Sequence, residues 1–151
     1  MPARGALFRI EKANTYDVDL GGPPPNIRRT QDGKQIHQGL EVGITGKVTD
    51  NLTLVAGGTV MDLSIAKNTN PALEGKEPTG AARYMAKIYA EYRVPGVPGL
   101  TISGGAYYTG KKYDDSANTL AVPAYTLFDA GVRYATKLGG YPTTFNFTVQ
   151  N

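Results

Sequence analysis

The sequence predicts an all-β chain of about seven antiparallel strands in up-and-down order, part of a transmembrane β-barrel that the chain alone does not close. Three observations predict it. Segments of alternating polarity recur along the 151 residues. The Gly-, Pro-, Asn- and Asp-rich connections between them alternate short and long. From the second segment on, one face of each carries no Lys, Arg, Asp or Glu.

The segments fall at about residues 4–16, 35–49, 52–66, 81–93, 100–110, 124–136 and 143–151. In the second, Leu40, Val42, Ile44 and Val48 oppose Glu41, Thr45 and Lys47. The third is less regular, because Leu52, Leu54, Ala56 and Val60 give way to Leu63 and Ile65, and a β-bulge or a drift of the pattern is expected there. The fourth is the clearest. Ala82, Tyr84, Ala86, Ile88, Ala90 and Tyr92 share one face, and Arg83, Met85, Lys87, Tyr89, Glu91 and Arg93 share the other. A helix would mix these two sets, whereas a period of two separates them. In the fifth, Leu100, Ile102, Ala106 and Tyr108 oppose Thr101, Ser103 and Tyr107. Phe128, Ala130, Val132 and Tyr134 then oppose Asp129 and Arg133, and Phe145, Phe147 and Val149 oppose Thr144, Asn146 and Thr148.

Thr49-Asp50-Asn51, Val94 to Gly99 and Lys137 to Pro142 read as short turns, whereas 17–34, 67–80 and 110–123 read as long polar loops. Sorting of loops by end is the pattern of an outer-membrane barrel, with tight turns on one side and large loops on the other. Tyr84 and Tyr92 cap their apolar row eight residues apart. At about 3.3 Å per residue and a tilt of about 40°, they stand near the edges of an apolar band about 25 Å tall. The competing reading is a soluble β-sheet binding or adhesion module, in which these rows pack against a second sheet. The opposite face of the fourth segment, with Met85 and Tyr89 among four charged residues, suits a wet lumen better.

Composition narrows the classes further. No apolar run reaches the roughly 18 residues a membrane-spanning helix needs, a test that barrel strands escape because they are half polar. The net charge of +3 comes from scattered basic residues, so no nucleic-acid surface is expected. Cys is absent, which removes disulfides and thiolate chemistry. Met1-Pro2-Ala3-Arg4 has no apolar signal-peptide core, so the chain reads as cytoplasmic or as lacking its true N-terminus.

Several stretches resemble TonB-dependent outer-membrane siderophore receptors, in the order that family has them. Gln35 to Leu54, QIHQGLEVGITGKVTDNLTL, resembles the family's G-x-E strand, glycine and "TDNL" turn. Residues 5–14, GALFRIEKAN, resemble a strand ending in Asn, and Glu77 to Tyr92 the "G-K-x-P … A-x-Y-x-Y" region. Gly99 to Tyr134 is similar to the ferrichrome-type receptors in particular, through Tyr113, Asn118 and Val122-Pro123-Ala124-Tyr125-Thr126. Phe147 to Asn151 resembles the start of a late "V-x-N-L" element.

The resemblance implies that residues 1–151 are the C-terminal part of such a barrel, with the plug domain and the final strand absent. An odd strand number fits this, because bacterial single-chain barrels close with even numbers. It further implies a bacterial outer-membrane location, contact with outer-membrane lipid, a ferric siderophore as ligand, and TonB engaged through the missing N-terminal region.

Nothing in the sequence supports catalysis, a cofactor or a protein-bound metal; the chelated iron would arrive as cargo. Lone His37 lacks partners for a zinc shell and reads as a solvent-facing strand residue. Gly57-Gly58 and Gly104-Gly105 suit close strand packing, and Asp129 and Arg133 suit a structural pair or a plug contact. Binding residues concentrate on loops held by a rigid scaffold. The ligand-binding candidates are therefore Tyr107, Tyr113, Asp114 and Asp115, on or beside the 110–123 loop. Their aromatic rings can pack on a siderophore's organic body, and their carboxylates can meet its polar face.

Overall fold

The computed structural model describes residues 2–24 and 26–151. Alternating polarity becomes long strands: β1 (Ala3–Asp19), β2 (Ile27–Lys47), β3 (Leu52–Lys67), β4 (Tyr84–Arg93) and β5 (Leu100–Thr109). After them come the short β6 (Lys112–Tyr113) and β7 (Ala121–Val122), then β8 (Tyr125–Leu138) and β9 (Tyr141–Gln150). One seven-stranded antiparallel sheet runs β1-β2-β3-β4-β5-β8-β9 and forms a half-barrel. β6 and β7 make a separate two-stranded ribbon in the β5–β8 loop. Among the described residues, neighbours in the main sheet follow chain order throughout without a Greek-key crossover, and the helical element is a single 3-10 turn at Pro71–Leu73.

The register lines up the apolar faces across strands. Ile44, Ala56, Ile88, Ala106 and Phe128 form one cross-strand row, and Leu52, Tyr92, Ile102, Val132 and Phe147 form another. Among the described residues no second sheet covers them. Ile88 is 48% exposed, Val132 44% and Phe147 68%, which a soluble sandwich core could not sustain. These rows meet lipid instead, whose tails solvate apolar groups while the cross-strand ladder satisfies the backbone between the sheet's two edges.

Two expectations about local structure change and a third is resolved. Residues 17–34 are mostly strand, not loop: β1 and β2 stay paired out to Asp19 and Ile27. Arg29 holds Asp17 through two hydrogen bonds of 2.8 and 3.2 Å there. Strands that stand in water on both faces need no apolar row, so their sequence resembles a loop. Ala82, expected on the lipid row, precedes β4 and is buried. The change of apolar face between Val60 and Leu63 is a drift and not a bulge, since the register runs unbroken from Thr53 to Ile65; the extra residue of β3 is Ala66, where Lys34 and Gln35 pair with Lys67 and Ile65, and a second irregularity lies at Asn14/Tyr16.

What happens in β3 is a change of solvent. Leu52 to Val60 face lipid on the outer side. Past Val60 the outer residue is Asp62, which accepts from Gln38 at 3.1 Å, and the apolar residues Leu63 and Ile65 sit on the inner side. They are 1% and 2% exposed. The 68–83 loop pairs back onto the strand beside them: Ile65 N donates to Lys76 O at 2.8 Å, and Gly75 N donates to Ile65 O at 2.9 Å. A small water-excluding core therefore forms beyond the lipid band, with the hydrophobic direction reversed.

At the opposite end the connections are tight. Gly139 and Gly140, at φ 58 and 86, join the paired Leu138 and Tyr141 in a two-residue hairpin that needs left-handed backbone at both positions. Arg93 ties the β2–β3 turn to β4, its guanidinium donating to Asp50 O at 2.8 Å.

Candidate functional site: the inner wall and the long loops

Alternation places Met85, Lys87, Tyr89, Glu91 and Arg93 of β4 on the inner wall, opposite the lipid row. Lys87 faces Gly57 across the β3–β4 pair and Tyr107 across β4–β5. A trough of about 1080 Å³ touches Arg4, Glu41, Gly43, Gly57, Met85 and Lys87. Its hollowness follows from the paired Gly43 and Gly57, which put no side chain into it.

Tyr107 lies on this wall, half-buried, and donates its hydroxyl to Asp129 Oδ2 at 2.7 Å. The bond passes over Gly105, where a Cβ would stand 2.7 Å from both the Asp129 carboxylate and the Tyr107 hydroxyl. Asp129 and Arg133 do not pair with each other, as their spacing had implied. Arg133 instead points across the sheet to Glu91, 3.8 Å away, and Glu91 also accepts from the Tyr89 hydroxyl at 3.2 Å. The β5–β8 register explains it: Asp129 stands opposite Gly105 and Arg133 opposite Thr101, so a cross-strand partner is nearer than the neighbour four residues along. His37 is not solvent-facing. It is half-buried on the inner side opposite Leu63, and its Nε2 is enclosed without a hydrogen-bond partner.

The other three candidates lie together on the β5–β8 loop. Tyr113 is in β6, opposite Ala121, and accepts from Lys111 Nζ at 2.9 Å, a contact that holds the Lys111 ammonium above its ordinary pKa. Asp114 N donates to Leu120 O at 3.0 Å, leaving its exposed carboxylate to solvent. The Asp115 carboxylate turns into its own loop. It accepts from Leu120 N at 2.6 Å, Thr119 N at 3.1 Å and the Thr119 hydroxyl at 2.8 Å. Those donors, first the Leu120 amide and then the Thr119 amide, hold the carboxyl below its ordinary pKa. Tyr107 is set apart from this trio, on the strand wall.

Sequence reasoning missed the residues that join this loop to the preceding one. Asn118 accepts from Glu77 N at 2.8 Å and donates to Glu77 O at 2.9 Å. Gly80 N donates to Tyr113 O at 2.8 Å. Contacts between polar loop residues 41 positions apart leave no periodic trace.

The family model described as "TonB dependent receptor-like, beta-barrel" matches residues 3–151. The chain belongs to that family. Among relatives of this TonB-dependent receptor segment, the ferrichrome receptor FcuA of Yersinia enterocolitica is 31% identical over 146 residues, covering 97% of the chain and 19% of that protein. The ferrioxamine receptor of the same organism is 38% identical over 101 residues, covering 67% of the chain and 14% of that receptor. The crystal structure of BauA, the ferric preacinetobactin receptor of Acinetobacter baumannii, superposes with a TM-score of 0.84 at 29% identity, covering 99% of the chain and 22% of that structure. The chain thus spans only 14–22% of the length of these receptors. Family membership places the strands in the outer membrane of a Gram-negative bacterium, with the lipid-facing rows described above.

Proposed function

We propose that the whole protein is an energy-coupled receptor that binds a ferric siderophore outside the cell and passes it inward as a plug is remodelled, TonB supplying the work. In this reading residues 1–151 are the C-terminal part of its barrel, with the plug upstream and a final strand downstream. The carrying observation is the family match over nearly the whole chain, joined to charge-free lipid-facing rows on an unclosed sheet. Open edges in a bilayer would leave backbone groups unsatisfied, so further strands have to complete the barrel. The ferrichrome and ferrioxamine receptors among its relatives support a hydroxamate ligand. Tyr113 and Asp114 at the loop, with Tyr107 deeper on the wall, are the proposed contacts, and Asp115 shapes the loop that carries them. No catalytic step is assigned to any residue.

The test is uptake of radiolabelled ferric ferrichrome and ferric ferrioxamine by iron-starved cells that lack their native receptor and express the complete reading frame, with and without TonB. Uptake that requires TonB is expected. Uptake independent of TonB would indicate a passive pore, and uptake of neither complex would refute the hydroxamate assignment.

A further inference from the structure

By chain position the 68–83 and 110–124 connections are two separate loops at one end of the sheet. Their hydrogen bonds describe something else. Asn118 offers Glu77 a carboxamide that pairs with both its N–H and its C=O, as a neighbouring strand would. It does so from φ 59, the one non-Gly residue among those described with left-handed backbone, a conformation Asn tolerates better than most. Three further bonds hold it there: Asn118 N donates to Asp115 O at 3.2 Å, and the Thr119 and Leu120 amides donate to the Asp115 carboxylate. Gly80 N on Tyr113 O makes a second cross-link close by.

The chain of contacts does not stop at Glu77. Its carboxylate lies 3.0 Å from Arg83 Nε and is largely shielded from solvent, and Arg83 O accepts from Met61 N of β3 at 2.8 Å. One residue row thus runs from the β6–β7 ribbon through Asn118 and Glu77 to the barrel wall. We propose that Asn118 is a positioning residue that makes the two loops a single unit, so that the placement of Lys111 and Tyr113 is set by the neighbouring loop as much as by their own. Only the ligand-facing role of Tyr113 rests on the receptor reading above; the coupling itself is independent of any ligand.

The experiment uses the full-length receptor, purified in detergent without ligand. Asn118→Gly keeps the left-handed backbone free of strain and removes only the carboxamide. Amide hydrogen exchange should then accelerate at least tenfold in residues 76–81 as well as in 112–121, while β4 and β5 exchange as before. Spin labels on exposed Ala72 and Ser116, introduced as cysteines, should give one narrow distance in the parent and a broad one in the variant. Faster exchange confined to 112–121, or an unchanged label distance, would show that the loops are independent and overturn the proposal. Failure of siderophore uptake with coupled exchange intact would refute the receptor reading and leave this one standing.

Discussion

Tyr107 and Asp129 are hydrogen-bonded across two strands at 2.7 Å, and the bond lies over a residue with no side chain, Gly105. Wall residues that hold each other this way are not free to swing with whatever fills the lumen. Removing the hydroxyl in Tyr107→Phe leaves Asp129 without its donor, a loss of about 1 kcal/mol for a partly solvated bond to a carboxylate. Thermal unfolding of the full receptor in detergent should show a modest fall in midpoint. Gly105→Ala should fall at least as far, because the added Cβ displaces both side chains, and an unchanged midpoint in both would mean the bond is unimportant.

The lipid-facing rows make a sharper prediction about placement. Ala86→Arg or Val132→Arg sets a charge among exposed apolar neighbours, costing about 2–4 kcal/mol near the bilayer midplane. Assembled, heat-modifiable receptor in outer-membrane fractions should drop for both. Lys87→Ala, on the inner wall, should assemble at parental levels. Equal levels in all three would mean the faces are assigned backwards.

Leu63 tests the reversed core beyond the lipid band. Leu63→Ala empties a fully enclosed site and should cost about 2–5 kcal/mol of local stability. Since the 68–83 loop supplies the cover, its amides should exchange faster while those of β8 and β9 do not change. A mutant that instead fails to assemble would place Leu63 in the membrane-embedded part of the wall.

Acid should loosen the β5–β8 loop through Asp115. Its folded pKa lies below the ordinary 3.8, so the ionised carboxylate contributes stability that is complete above the unfolded value and is lost as pH falls through the folded one. Exchange in residues 112–121, corrected for intrinsic rate, should be flat above about pH 5 and rise on further acidification. Asp115→Asn should exchange faster at neutral pH and lose the acid dependence. A transition centred above the ordinary carboxylate range would assign it to a different group.

Period-two patterning was enough to recover the sheet, its strand order and its lipid side. Each of these is written locally: a residue's neighbours two positions away share its face. The seven main strands, the later turns and long loops, and the lipid rows through Ile88, Val132 and Phe147 were all legible for that reason. Where the solvent on a face changed along one strand, the same logic misled, as at Leu63, Ile65 and Ala82.

The sequence by itself therefore determined the membrane-spanning part of the seven main strands and, from the second on, the face that meets lipid, because hydrophobic alternation encodes both directly. Only the tertiary structure decided which charges pair, that Asp129 reaches Tyr107 and Arg133 reaches Glu91, because partners are chosen by cross-strand register. Only it joined Asn118 to Glu77 and turned Asp115 into its own loop. Loop contacts satisfy individual polar groups across long stretches of chain, and no repeating spacing records where the other end will be.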